Sequence, residues 1–94
     1  MARKRSKMEI VYDILEALSE EPTTPTRLAT VANMPYDRLQ PLLAELESKG
    51  VVRTVENPSN PRSRTVYVTD KGLQLLAELR RLRRVLRDFG LTLI

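Results

Sequence analysis

The chain has no cysteine, no histidine and no tryptophan in 94 residues, and only three tyrosines and one phenylalanine. Without cysteine there are no disulfides and no thiolate metal sites, and without histidine the commonest metal ligand and general base is gone. Most catalytic chemistries fall with them, so the expectation is a protein that is not an enzyme and holds neither metal nor cofactor. No apolar run approaches the roughly 20 residues of a membrane span, and the basic N-terminus lacks the apolar stretch of a secretory signal, which predicts an intracellular protein. Ninety-four residues make one domain, short enough that self-association would add stability.

What the sequence does contain is clearest from Leu42 to Gly72. LLAELESKG carries leucines at helical spacing and stops at Gly50; VVRTV and TVYV flank the polar turn NPSNPRS and suit two paired strands; TDKG opens another helix. Upstream, Ser6 and Glu9 form a capping-box pair for a first helix over Lys7 to Ser19, with Ile10, Ile14, Leu15 and Leu18 on one face and Val11 flanking it. EEPTTP breaks that helix. Thr24 as N-cap and Pro25 at the first helical position begin a short second helix that turns Leu28, Ala29 and Ala32 inward. Asn33 and Met34 make a turn into a third helix, starting near Pro35 or Tyr36, ending at Lys49 and burying Leu39, Leu42, Leu43 and Leu46. Pro41 within it leaves two readings open, a bend or a late start with Asp37 as N-cap.

The final helix is expected from Thr69 or Asp70 to about Phe89, with Gly90 as its stop. Leu75, Leu79, Leu82, Leu86 and Phe89 repeat as a heptad seam, while Leu73 and Leu76 are placed to pack the first turns on the body. At about 1.5 Å per residue the helix is roughly 30 Å long, too long to pack entirely on so small a domain. A second copy of the chain is the simplest partner for the distal seam. The alternative is that the helix folds back as one more core element.

Charge is unevenly distributed. Of the net +4, residues 1–7 contribute four cations, residues 8–50 are net −5, residues 51–69 net +2 and residues 70–94 net +3. An acidic helical body with basic projections suits a polyanion met by arm, hairpin and last helix.

The order of these segments resembles winged-helix DNA-binding proteins. LLAELESKGVV resembles a recognition helix entering the first wing strand and YVTDKG the second strand entering the next helix. KRSKMEIVYDILEAL followed by these phrases and a long C-terminal helix is similar to the small archaeal winged-helix proteins that dimerise through a coiled coil, a group with chromatin-type members. The match runs from Lys4 to Leu86. It implies a mainly α fold with a small β-hairpin (α+β), a winged helix-turn-helix carrying a long C-terminal coiled-coil helix. The implied divisions are a basic arm over 1–7, a winged-helix domain over 8–72 and a dimerisation helix and tail over 73–94. The implied function is double-stranded DNA binding as a homodimer, cytoplasmic and nucleoid-associated, in a transcriptional or chromatin-type role.

On that reading Tyr36, Arg38 and Gln40 sit on the base-facing half of the recognition helix, with Arg38 suited to guanine or phosphate and Gln40 to adenine. Arg62 and Arg64 project from a wing tip stiffened by Pro58 and Pro61 toward a minor groove. Thr26 and Arg27 are candidates for phosphate contact, and Arg3, Lys4, Arg5 and Lys7 for a phosphate track or groove. Leu75, Leu79, Leu82, Leu86 and Phe89 form the dimer seam. Two other functions are compatible with the same chain: a protein-interaction module that docks through its acidic helices without touching DNA, and, more weakly, an arginine-rich helix lying on an anionic membrane.

Overall fold

The computed structural model describes residues 6–91, and its elements follow in the order α1 (Lys7–Glu20), α2 (Pro25–Val31), α3 (Tyr36–Ser48), β1 (Val52–Asn57), β2 (Asn60–Val68) and α4 (Asp70–Asp88). Local chemistry sets most of the boundaries. Ser6 and Glu9 close the capping box, Ser6 Oγ accepting from the Glu9 amide at 3.2 Å and Glu9 Oε1 from the Ser6 amide at 3.1 Å. Thr24 Oγ1 accepts from the Arg27 amide at 3.2 Å with Pro25 at the first helical position, and Thr69 Oγ1 accepts from the Gly72 amide at 3.1 Å. Each bond satisfies an amide that has no intrahelical acceptor.

α2 and α3 stop in the same way. Asn33 (φ 54°) and Gly50 (φ 77°) take the left-handed conformation, which lets the next residue's amide reach back into the last turn. Those bonds are Met34 N–H to the Ala29 carbonyl at 3.0 Å and Val51 N–H to the Leu46 carbonyl at 3.1 Å. The late start with Asp37 as N-cap is not what forms: α3 begins at Tyr36 after a Pro35 cap and runs through Pro41. The proline stands on the exposed side, where it supplies no amide to the Asp37 carbonyl.

The strands pair antiparallel from Val52↔Val68 to Glu56↔Arg64, with an irregularity between Glu56 and Asn57. A further bridge was not legible in the sequence. Thr23, inside the EEPTTP break, exchanges both backbone hydrogen bonds with Val66, at 3.2 and 2.7 Å, and so forms a one-residue antiparallel bridge on the side of β2 away from β1.

The core joins Val11, Ile14, Leu15 and Leu18 of α1 to Leu28 and Ala29 of α2, Leu39, Leu43 and Leu46 of α3, Val52 and Val66 of the strands, and Leu76 and Leu79 of α4. Several side chains depart from expectation. Leu42 is half-buried, and Leu73 is 43% exposed instead of packing on the body. Leu79, expected in an intermolecular seam, is only 6% exposed and belongs to the chain's own core, with Leu75 packed beside it. The cause is the rotation of α4. Gly72, Leu76 and Leu79 form the line that faces inward, so a leucine repeat that looks like one seam in sequence is divided between two faces. α4 lies along α1, where Arg83 stands 4.7 Å from the Tyr12 ring centroid and Arg80 reaches Glu16 at 3.8 Å.

Gly72 is the tightest point. A Cβ there would fall 2.1 Å from the Val51 carbonyl oxygen and 2.7 Å from Val68 Cγ2. Gly72→Ala should therefore lower the unfolding free energy by about 1–3 kcal/mol, the usual cost of overpacking, seen as a reduced urea midpoint. An unchanged midpoint would mean that the junction yields without cost.

Candidate nucleic-acid interface

Burial of Leu39, Leu43 and Leu46 fixes what α3 shows to solvent. At about 100° per residue, the outermost stripe is Asp37, Pro41, Ala44 and Ser48, all exposed. Arg38 and Glu45 flank it on one side, Gln40 and Glu47 on the other.

The flanking polar groups are mostly engaged within the molecule. Gln40, expected to be exposed, is half-buried and donates its amide to the Tyr36 hydroxyl one turn back. Tyr36 is thus a partner of Gln40. Lys7, assigned from sequence to the arm, is the first residue of α1 and donates to Glu45 Oε2 at 2.8 Å. That hydrogen bond, helped by the charges of Lys7 and Lys49 and opposed by partial desolvation, holds the Glu45 carboxyl below its ordinary value. Glu47 Oε2 accepts from the Thr54 amide at 3.4 Å, a long contact linking α3 to β1, and Ser48 Oγ donates to the Glu45 carbonyl at 2.7 Å. Asp37 and Arg38 make no side-chain hydrogen bond or ion pair among the described residues.

The hairpin tip is held by two side-chain turns: Asn57 Oδ1 accepts from the Ser59 amide at 2.9 Å and Asn60 Oδ1 from the Arg62 amide at 3.2 Å. Arg62 and Arg64 are exposed and unpaired among the described residues. Arg53 is a cation that the sequence did not single out. It lies directly across from Tyr67 on the outward face, 5.9 Å from the ring centroid, and strand alternation from buried Val52 was the signal for it. Thr26 and Arg27 are exposed in the first turn of α2. Arg3, Lys4 and Arg5 lie outside the described residues.

Cations elsewhere are divided. All of the α4 arginines are exposed, but Arg80 and Arg83 face Glu16 and Tyr12, whereas Arg81, Arg84 and Arg87 make no such contact among the described residues. A shallow cleft of about 430 Å³ is lined by Asp13, Glu16, Ala17, Glu20 and Val31, an acidic lining unsuited to an anion. No group of three or more acidic side chains among the described residues is arranged to hold a metal ion, and no helix among them is long and apolar enough to cross a membrane.

This arrangement of three helices, hairpin and flanking helix matches the winged helix-turn-helix family model over residues 4–87. The chain belongs to that family. Among solved structures, this winged helix-turn-helix chain is similar to the transcriptional regulator BldR from Sulfolobus solfataricus, with 30% identity and a TM-score of 0.77 over 86% of this chain and 59% of BldR. It is similar to the transcriptional repressor CouR, solved bound to a 23-mer DNA duplex, with 26% identity and a TM-score of 0.72 over 84% of this chain and 55% of CouR. Escherichia coli MarR in its apo form gives 25% identity and a TM-score of 0.70 over 77% of this chain and 54% of that protein. The chain therefore spans between half and three-fifths of the regulators it resembles. No curated protein sequence matches it significantly.

The Lys7–Glu45 contact makes a direct prediction. A carboxyl with a lowered folded pKa contributes stability above its unfolded pKa and loses it as pH falls through the folded value, so the contact weakens only in the acid range. In Lys7→Ala the Glu45 side-chain resonance should titrate at higher pH than in the parent. An unshifted titration would show that the contact does not persist in solution.

Proposed function

We propose that the chain binds duplex DNA as a homodimer and acts as a transcriptional regulator whose affinity comes mainly from backbone and wing contacts. The observation that carries this reading is the pairing of a hairpin that projects Arg62 and Arg64, unpaired among the described residues, with a helix α3 whose outer stripe is exposed. The likeness to CouR, solved on a duplex, supports it. α3 offers Arg38 as its one unengaged cation among the described residues and Asp37 as an unengaged anion, so direct base readout is limited and phosphate contact has the larger share. That balance suits broad binding along DNA as well as binding at an operator. Arg3, Lys4 and Arg5 would add phosphate contacts from the arm.

The second copy would meet distal α4. Leu82, Val85 and Phe89 are exposed and Leu86 is half-buried, so the stripe left for a partner begins at Leu82, while Leu75 and Leu79 serve the chain's own core. In this reading residues 73–94 belong to the body through their first turns and to the dimer through their last.

Titration of random duplex at several salt concentrations tests the binding. Affinity should fall steeply with salt, and Arg62→Ala with Arg64→Ala should weaken binding to all sequences and reduce the salt slope by roughly one unit for each phosphate no longer neutralised. Salt-insensitive or absent binding would favour a protein partner instead. For the dimer, Leu82→Glu with Phe89→Glu should convert the chain to a monomer in sedimentation at tens of micromolar (on the order of a weak coiled-coil constant) without loss of helical signal. A parent chain that is already monomeric there would refute the second half of the reading.

A further inference from the structure

The outermost stripe of α3 carries more chemistry than its lack of cations suggests, provided the DNA-binding reading above holds. The two residues at its centre, Pro41 and Ala44, present only carbon to solvent: a pyrrolidine ring without an N–H, and a methyl group. The side chains that would otherwise dominate base readout beside them are held elsewhere, Gln40 by Tyr36, Glu45 by Lys7 and Glu47 by the Thr54 amide. The apolar strip therefore stands forward, with Asp37 at its N-terminal end and Ser48 at its C-terminal end.

In the major groove the apolar feature on a base edge is the C5-methyl of thymine, and small apolar side chains are its natural contacts. Guanine and cytosine lack that methyl, whereas the acceptors and donors of A·T and G·C pairs are equal in number, so the methyl is what an apolar strip can distinguish. We propose that Pro41 and Ala44 form a thymine-methyl-reading strip, so that α3 discriminates by apolar contact in favour of A·T pairs while Arg38, on the flank, meets phosphate. The preference is modest, because each methyl removed from water contributes only a small factor. It lies in the major groove, which separates it from the minor-groove width sensed by wing arginines.

The experiment compares two duplexes of one A·T-rich sequence, identical except that uracil replaces thymine. The substitution removes only the C5-methyl and leaves phosphate charge and base pairing in place. The parent chain should bind the uracil duplex roughly three- to fivefold more weakly for each methyl that the strip would otherwise cover, the factor associated with burying one methyl group. In the Pro41→Ser, Ala44→Ser variant the two duplexes should bind alike. That variant restores an amide to the helix interior and touches no core residue, and its circular dichroism and its salt slope on random duplex should match the parent's. Equal binding of both duplexes by the parent, with salt-dependent binding intact, overturns the methyl reading and leaves DNA binding standing. A thymine preference that survives in the double variant overturns it too, by placing the preference elsewhere. Absence of binding to any duplex overturns the proposed function and this inference with it.

Discussion

The close crossing of Gly72 beneath Val51 organises the rest of the molecule. Within a few residues α3 ends, β1 begins, β2 ends and α4 starts, and all four are tied at that point. Thr69 Oγ1 donates to the Gly50 carbonyl at 2.5 Å while accepting from the Gly72 amide, and the Thr69 amide donates to the Val51 carbonyl at 3.1 Å. Only a residue without a Cβ allows α4 to start so near the Val51 backbone. From that joint the hairpin projects in one direction and α4 runs back along α1. The directions of the wing and of the last helix are thus consequences of one backbone contact.

Electrostatics follow the same division. Acidic groups collect on α1, where Asp13, Glu16 and Glu20 line a cleft, while Arg62 and Arg64 stand on the hairpin away from any described carboxylate contact. The carboxylates of α3 would oppose a polyanion, yet two of them are restrained, Glu45 by an ammonium and Glu47 by a backbone amide. This keeps a mildly acidic helix compatible with an approaching phosphate backbone. It also leaves carbon rather than charge at the centre of the exposed stripe that we propose faces DNA.

Much of the fold was legible because the signals were local. Ser6, Thr24, Pro25 and Gly50 act within a turn of their own position, so spacing alone exposed them, while the start of α4 was left open between Thr69 and Asp70. The strands were legible from β-branched residues on both sides of a Pro- and Asn-rich turn. What escaped the sequence depends on distant groups. The Thr23–Val66 bridge joins segments far apart in the chain, and nothing within EEPTTP encodes it. The rotation of α4 is set by packing on α1, so the same leucine repeat was compatible with Leu79 in a seam or in the core; the structure puts it in the core. Likewise Gln40 looked available because its position on the wheel was polar, and only the folded helix reveals that Tyr36 takes its amide.

Everything functional here turns on duplex DNA being met by α3 and the hairpin and not by the acidic helices. Amide chemical-shift mapping during titration with a short duplex is the decisive measurement, because it reads location independently of affinity. Perturbations should concentrate at Asp37–Ser48 and around Arg62 and Arg64, with Asp13, Glu16 and Glu20 unmoved. Perturbations confined to α1 and α4, with α3 and the hairpin silent, would refute this placement of the DNA.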